Sequence, residues 1–170
     1  MSSNQIIKTL HQNASSFFDK VINKNESVMA CKKGCSACCR VDLSVFEVEG
    51  DLIRNWFSSL TSSEQQNLLV MWDQASKEHF CQFLKNDMCT IYEVRPTICR
   101  TQGLPLFIES ENLLDYCPLN FTESTPEKGD WLNLERLNTM LSLAATSLKR
   151  DGRVRLADLQ VELRKIASQE

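Results

Sequence analysis

Four cysteines fall within nine residues in the run "CKKGCSACC", residues 31–39, and two of them, Cys38 and Cys39, are adjacent. The other four are Cys81, Cys89, Cys99 and Cys117, so the full spacing is C-x3-C-x2-C-C, then C-x7-C-x9-C-x17-C. Spacings of two and three residues let one turn of chain present several sulfurs to an ion about 2.3 Å away, with little loop entropy opposing it. Tetrahedral zinc and cubane iron–sulfur clusters each take four thiolates, and eight is twice four. Gly34, beside Cys35, suits a backbone that must wrap an ion with unusual dihedrals.

The chain does not need its cysteines as staples. At 170 residues it can bury roughly two thirds of its unfolded surface with apolar side chains alone. With 19 Lys plus Arg against 22 Asp plus Glu, no global positive field draws it to nucleic acid or anionic lipid, and neither is expected as a partner. The N-terminal residues are polar where a secretory core would lie, and no stretch approaches the ~20 apolar residues of a membrane span. The expected location is therefore cytoplasmic. In that reducing compartment clustered cysteines are metal ligands or redox-active thiols more often than disulfides.

Hydrophobic periodicity predicts a mainly α fold: a small helical domain around an irregular cysteine-rich metal-binding loop region, with residues 1–170 as a single domain. Ile6, Leu10, Ala14, Phe17, Phe18 and Val21 give an amphipathic helix over 5–23. "SVFE" at Ser44–Glu47 and "TSSE" at Thr61–Glu64 match capping boxes and predict short helices near 45–59 and 62–77. Val48, Leu52, Trp56, Leu68, Met71, Trp72 and Ala75 would form their buried faces. Between Cys81 and Tyr116 the periodicity fails at Asn86, Asp87, Pro96, Gly103 and Pro105, so an ion is the natural organiser of this segment. C-terminal helices are expected within 130–168: one ends at "KRDG", with Gly152 as a left-handed cap, and the last spans Leu156 to Ala167.

Adjacent residues point about 100° apart on a helix and to opposite faces of a strand, so Cys38 and Cys39 are expected to split between two linked sites. Cys31, Cys35 and Cys38 would nucleate one site, with Cys39 facing the later cysteines. Eight thiolates around two zinc ions leave a net charge of minus four (2 × 2 − 8), which Lys32, Lys33, Arg40, Arg95 and Arg100 can offset. Pro96 restricts Arg95 to extended conformations and can begin a short helix, fixing where Arg95 points relative to Cys99. Tyr92 suits a core aromatic with a bonded hydroxyl as well as a functional group. His11 is expected on a helix surface and His79 near a helix end, both in structural roles, although the position of His79 two residues before Cys81 would also let it approach the metal.

Two long boxes in order carry a resemblance. The run Cys31 to Cys39, followed by "CQFLKNDMCTIYEVRPTICR" at 81–100, resembles the YkgJ-type cysteine-cluster family over residues 31–120. The matching positions of the second box are Cys81, Phe83, Leu84, Cys89, Ile91, Tyr92, Arg95, Pro96, Cys99 and Arg100. The resemblance implies a zinc- or iron-chelating domain whose ligands are the cysteines, with Arg40, Tyr92, Arg95 and Arg100 supporting them.

The cofactor is then zinc or iron, the latter including a 4Fe–4S cluster; thiolates suit both and spacing does not choose between them. One alternative is an iron–sulfur or zinc enzyme with an open coordination position, such as a protein-modifying methylase-like activity, since the broader family includes a flagellin lysine methylase. A thiol redox sensor is another. C-x3-C-x2-C also matches the radical adenosylmethionine box, but a helical chain of this length lacks the partial barrel that chemistry uses. The five glycines are too dispersed to build a phosphate-binding loop or a G-x-S-x-G elbow.

Overall fold

The computed structural model describes residues 3–32, 34–41, 43–73 and 81–168. In chain order the elements are α1 (Ser3–Lys24), β1 (Ser44–Phe46), α2 (Glu47–Ser58), α3 (Ser62–Asp73), β2 (Leu84–Lys85), β3 (Met88–Cys89), α4 (Thr97–Thr101), β4 (Leu106–Ile108), β5 (Leu113–Asp115), β6 (Leu132–Asn133), α5 (Leu134–Ser147), β7 (Arg153–Arg155) and α6 (Leu156–Ala167). Short 3-10 turns at Ala37–Cys39, Tyr92–Val94, Glu109–Glu111 and Lys128–Asp130 join several of them. The fold is mainly α, as the periodicity predicts. Contacts divide it into two compact units, Met1–Lys32 with Thr97–Leu148, and Lys33–Pro96 with Lys149–Glu170.

In the first unit, α1 packs on α4 and α5. Its fully buried stripe is Ile7, His11, Ala14 and Val21, one position on from the expected Ile6 and Leu10, which stay half-buried. That rotation of about 100° carries His11 inside, 4% exposed, against the expectation of a surface histidine. β4 pairs antiparallel with β5 and parallel with β6. Val21, Met29, Leu104 and Phe121 form one core cluster of this unit, with Tyr116 edge-on to Phe121. Asp130, also buried, is neutralised by Lys24 at 3.0 Å and bonded by Asn25 at 3.1 Å.

The second unit is built around Phe57, Trp72 and Phe83. Phe57 stacks on Trp72 at 5.8 Å and Phe83 meets Trp72 edge-on at 5.3 Å, amid Ile53, Leu68, Ile91, Leu159 and Leu163. Helices α2 and α3 pack against α6. The expected box at Thr61 is formed: Glu64 Oε2 accepts from the Thr61 N–H at 2.8 Å, and the Glu64 N–H donates to Thr61 Oγ1 at 3.3 Å.

The box expected at Ser44 is not formed. Ser44–Phe46 pairs antiparallel with Arg153–Arg155, α2 begins at Glu47 without a side-chain cap, and the Glu47 N–H donates to the Gly152 carbonyl at 2.8 Å. The Glu47 carboxylate instead joins Asp51 in binding Arg54 and Arg150. The left-handed residue after α5 is Lys149 (φ 54), not Gly152, and the cation Arg150 goes to Asp51 rather than to the helix end. The α3 pattern expected to 77, with Ala75, runs past Asp73 into residues outside those described; Lys33 and His79 also lie outside them.

Phe57 is completely buried between Trp72 and the α6 face. Phe57→Ala is expected to cost about 3–5 kcal/mol, read as a lower urea midpoint at unchanged m-value.

Candidate metal centre

All eight cysteines are free thiols, and each is half-buried. The second unit holds five of them, Cys35, Cys38, Cys39, Cys81 and Cys89, and the last four are tied to one another through a hairpin. Its key element is the hairpin β2–β3, whose two turn residues, Asn86 (φ 49) and Asp87 (φ 57), are both left-handed, as a type I′ turn requires. That register sets Cys89 opposite Leu84, three residues after Cys81. Two ties bring the first cysteine box to this hairpin. The Ser36 hydroxyl donates to the Asp87 carboxylate at 2.5 Å, and the Cys81 N–H donates to the Cys39 carbonyl at 3.1 Å. Ser36 is itself buried.

The sulfurs in this set sense one another. The Cys38 thiol is hydrogen-bonded to Cys39, and that bond, followed by burial, pushes its pKa far up. Burial pushes Cys81 from 9.0 up to about 11, and its Cys89 and Cys38 neighbours add to the rise. Burial raises Cys89 as well, with Cys38 adding to it. Working against burial, the Phe83 and Leu84 backbone amides donate to Cys81 and the Ile91 amide donates to Cys89. An amide aimed at sulfur two or three residues back favours the thiolate, the form that binds metal. Arg95 also favours the thiolate at Cys38 and Cys89.

Cys38 and Cys39 lie on one 3-10 turn, and Cys38 is close enough to Cys39, Cys81 and Cys89 for each to affect its neighbour's ionisation.

Of the expected supporting residues, Arg95 sits as the sequence suggests. It is extended (φ −55, ψ 142) before Pro96, and α4 starts immediately after. Its guanidinium stacks on the Tyr92 ring at 3.6 Å. Tyr92 is 61% exposed, which corrects the core-aromatic reading. Arg40 and Lys32 are exposed, and Arg100 donates to Ser15 Oγ at 2.9 Å.

Cys31, Cys99 and Cys117 belong to the first unit, with Cys99 on α4. Beside Cys31 stands a residue that no sequence motif points to, Asn120, which is 1% exposed and donates from Nδ2 to Cys31 Sγ at 3.3 Å. Its own N–H donates to the Cys117 carbonyl at 2.9 Å. Gly103, with φ +93, leaves the room: a Cβ there would stand 2.3 Å from Cys31 Sγ. Gly34 is likewise left-handed at φ +90, turning the chain between Cys31 and Cys35. Among the described residues, no three or more Cys, His, Asp or Glu side chains are already drawn together as a metal site. The fit to a metal thus rests on the donor set, soft sulfurs with amide and guanidinium support.

Soft thiols in this number and at this spacing are the donor chemistry of a metal-chelating protein. The chain belongs to the CxxCxxCC family, whose model, described as "Putative zinc- or iron-chelating domain", matches residues 30–118 and so takes in all eight cysteines. No curated protein and no solved structure matches the chain. Among the described residues, no helix is long and apolar enough to cross a membrane.

A raised thiol pKa makes metal-free stability pH-dependent. Folding holds the Cys81 proton more tightly than the unfolded chain does, so this contribution is complete below about pH 9 and is lost as pH rises from 9.0 to about 11. Urea titrations of the metal-free chain should lose on the order of 2–3 kcal/mol from this group across that window, and Cys81→Ala should flatten the loss.

Proposed function

We propose that this protein chelates two metal ions or clusters, zinc or iron, through its eight cysteine thiolates, in the reducing cytoplasm. Cys38, Cys39, Cys81 and Cys89 supply one set. Cys31, Cys99 and Cys117 belong to the other, and Cys35 lies between the two sets along the chain. The observation that carries this reading is the pair of ties, Ser36 to Asp87 and the Cys81 N–H to the Cys39 carbonyl, that bring the first cysteine box onto the hairpin that ends at Cys89. Ordinary hydrogen bonds thus assemble soft donors from two distant stretches of chain, as a chelating centre needs.

The roles of the chain's own residues follow. Burial keeps Cys81 and Cys89 protonated until they are ligated, so uptake releases protons, and affinity rises with pH. Arg95, held extended by Pro96 and braced on Tyr92, offsets part of the negative charge that thiolates gather. When bound, zinc would lock the irregular segment, while an iron–sulfur centre would add one-electron chemistry.

A second reading draws on the Cys38–Cys39 hydrogen bond: neighbouring thiols that exchange with a disulfide as a redox sensor. It predicts a chain that folds normally without metal and cycles between thiol and disulfide.

Anaerobic purification, elemental analysis and a visible spectrum test the main reading. The expected result is two metal centres per chain: colourless if zinc, brown with acid-labile sulfide in proportion if iron–sulfur. Cys89→Ser should remove one centre and leave the other. Wild-type chain that carries no metal and binds none under reducing conditions would overturn chelation in favour of the thiol switch.

A further inference from the structure

We infer that Asn120 is a positioning residue for the Cys31 sulfur, an amide donor fixed so that it holds this sulfur as a hydrogen-bond acceptor within a metal centre. The inference rests on the chelation reading and goes beyond it by giving the Cys31 sulfur a side-chain donor of its own.

A buried asparagine brings two donors and a carbonyl acceptor that must all be satisfied where water cannot reach. At Asn120 each is accounted for. Oδ1 accepts from the Ala30 N–H at 2.8 Å. One hydrogen of Nδ2 goes to the Gly103 carbonyl at 2.8 Å, and the other to Cys31 Sγ at 3.3 Å.

Neither backbone partner can reverse its polarity. A backbone N–H only donates and a carbonyl only accepts, so the amide cannot flip without breaking two bonds of 2.8 Å at once. Its N–H is therefore committed to the sulfur. The opposite contact, from the Cys31 thiol to Oδ1, is long at 3.8 Å. A sulfur offered a fixed donor binds it more strongly when charged or ligated than as a neutral thiol.

The surroundings are shaped to the same end. Gly103 presents its carbonyl to Asn120 and, lacking a Cβ, leaves the space that the Cys31 sulfur occupies. The Asn120 N–H bonds the Cys117 carbonyl, so one turn anchors the backbone of one cysteine and the sulfur of another. Side-chain donors to sulfur draw electron density from it, which tunes both metal affinity and, in an iron centre, reduction potential.

The test uses full-length protein loaded anaerobically with cobalt(II), whose sulfur-to-cobalt charge-transfer absorption reports on the thiolates. Asn120→Asp keeps the shape and replaces the donor with an acceptor. The expected result is a 10–100-fold weaker affinity for one of two cobalt ions, with a shifted charge-transfer band for that ion. The Cys38, Cys39, Cys81 and Cys89 centre should be untouched.

Cys89→Ser, which leaves only the Cys31 centre to be read, should show the band shift in isolation when combined with Asn120→Asp. In a Cys31→Ser background Asn120→Asp should change nothing further in the spectrum, since the two act through one contact. Asn120→Ser, measured in the same way, serves if the aspartate variant does not fold. A folded variant with two cobalt ions, unaltered affinity and an unaltered band overturns the inference while leaving chelation standing. Wild-type protein that takes up no cobalt overturns both.

Discussion

Like-charged sulfurs repel, and this constraint governs the second unit. Two thiolates about 4 Å apart oppose each other by roughly 4 kcal/mol at an effective dielectric near 20, so neighbouring sulfurs do not ionise together without a cation among them. In the metal-free fold, protons supply the neutrality at three of them: the bond to Cys39 and burial hold Cys38 protonated, and burial with neighbouring sulfurs does the same for Cys81 and Cys89. Arg95 and the amides at Phe83, Leu84 and Ile91 pull the other way. The balance keeps the sulfurs neutral while already supplying donors for the charged form, as a centre that exchanges protons for metal requires.

Everything that places these sulfurs is ordinary protein structure. Trp72 packs between Phe57 and Phe83 and donates its indole N–H to Thr90 Oγ1 at 2.8 Å, and Thr90 bonds back to the Phe83 carbonyl. These contacts fix the strand that ends at Cys89 against an aromatic core. Ser36 and the Cys39 carbonyl then carry the first box onto the same hairpin. A change at Trp72 or Ser36 thus bears on sulfur placement although neither residue is a metal ligand.

Much of this was legible in the sequence, for identifiable reasons. Helix periodicity and the box at Thr61 are local signals, and α1, α3 and α6 follow them. Arg95 was legible because Pro96 constrains its neighbour's backbone directly. The signals that misled were local patterns overruled from far away: Ser44 resembles a helix cap until a strand 109 residues on claims it. Asn120 could not be singled out, because "CPLN" reads as a solvated turn, and its burial depends on Gly103 and Ala30 reaching the same point. His11 misled by a rotation of one residue on an otherwise correct helix.

The left-handed pair Asn86 and Asp87 also bears on timing. A two-residue hairpin closes in about 1–10 μs, whereas the pairing of residues 36–39 with residues 81–87 must first close a loop of some forty residues. Cys81 and Cys89 therefore lie on one local segment that can form before the first cysteine box arrives. An ion captured at that stage would meet a two-sulfur landing point, and the remaining sulfurs would fold onto it.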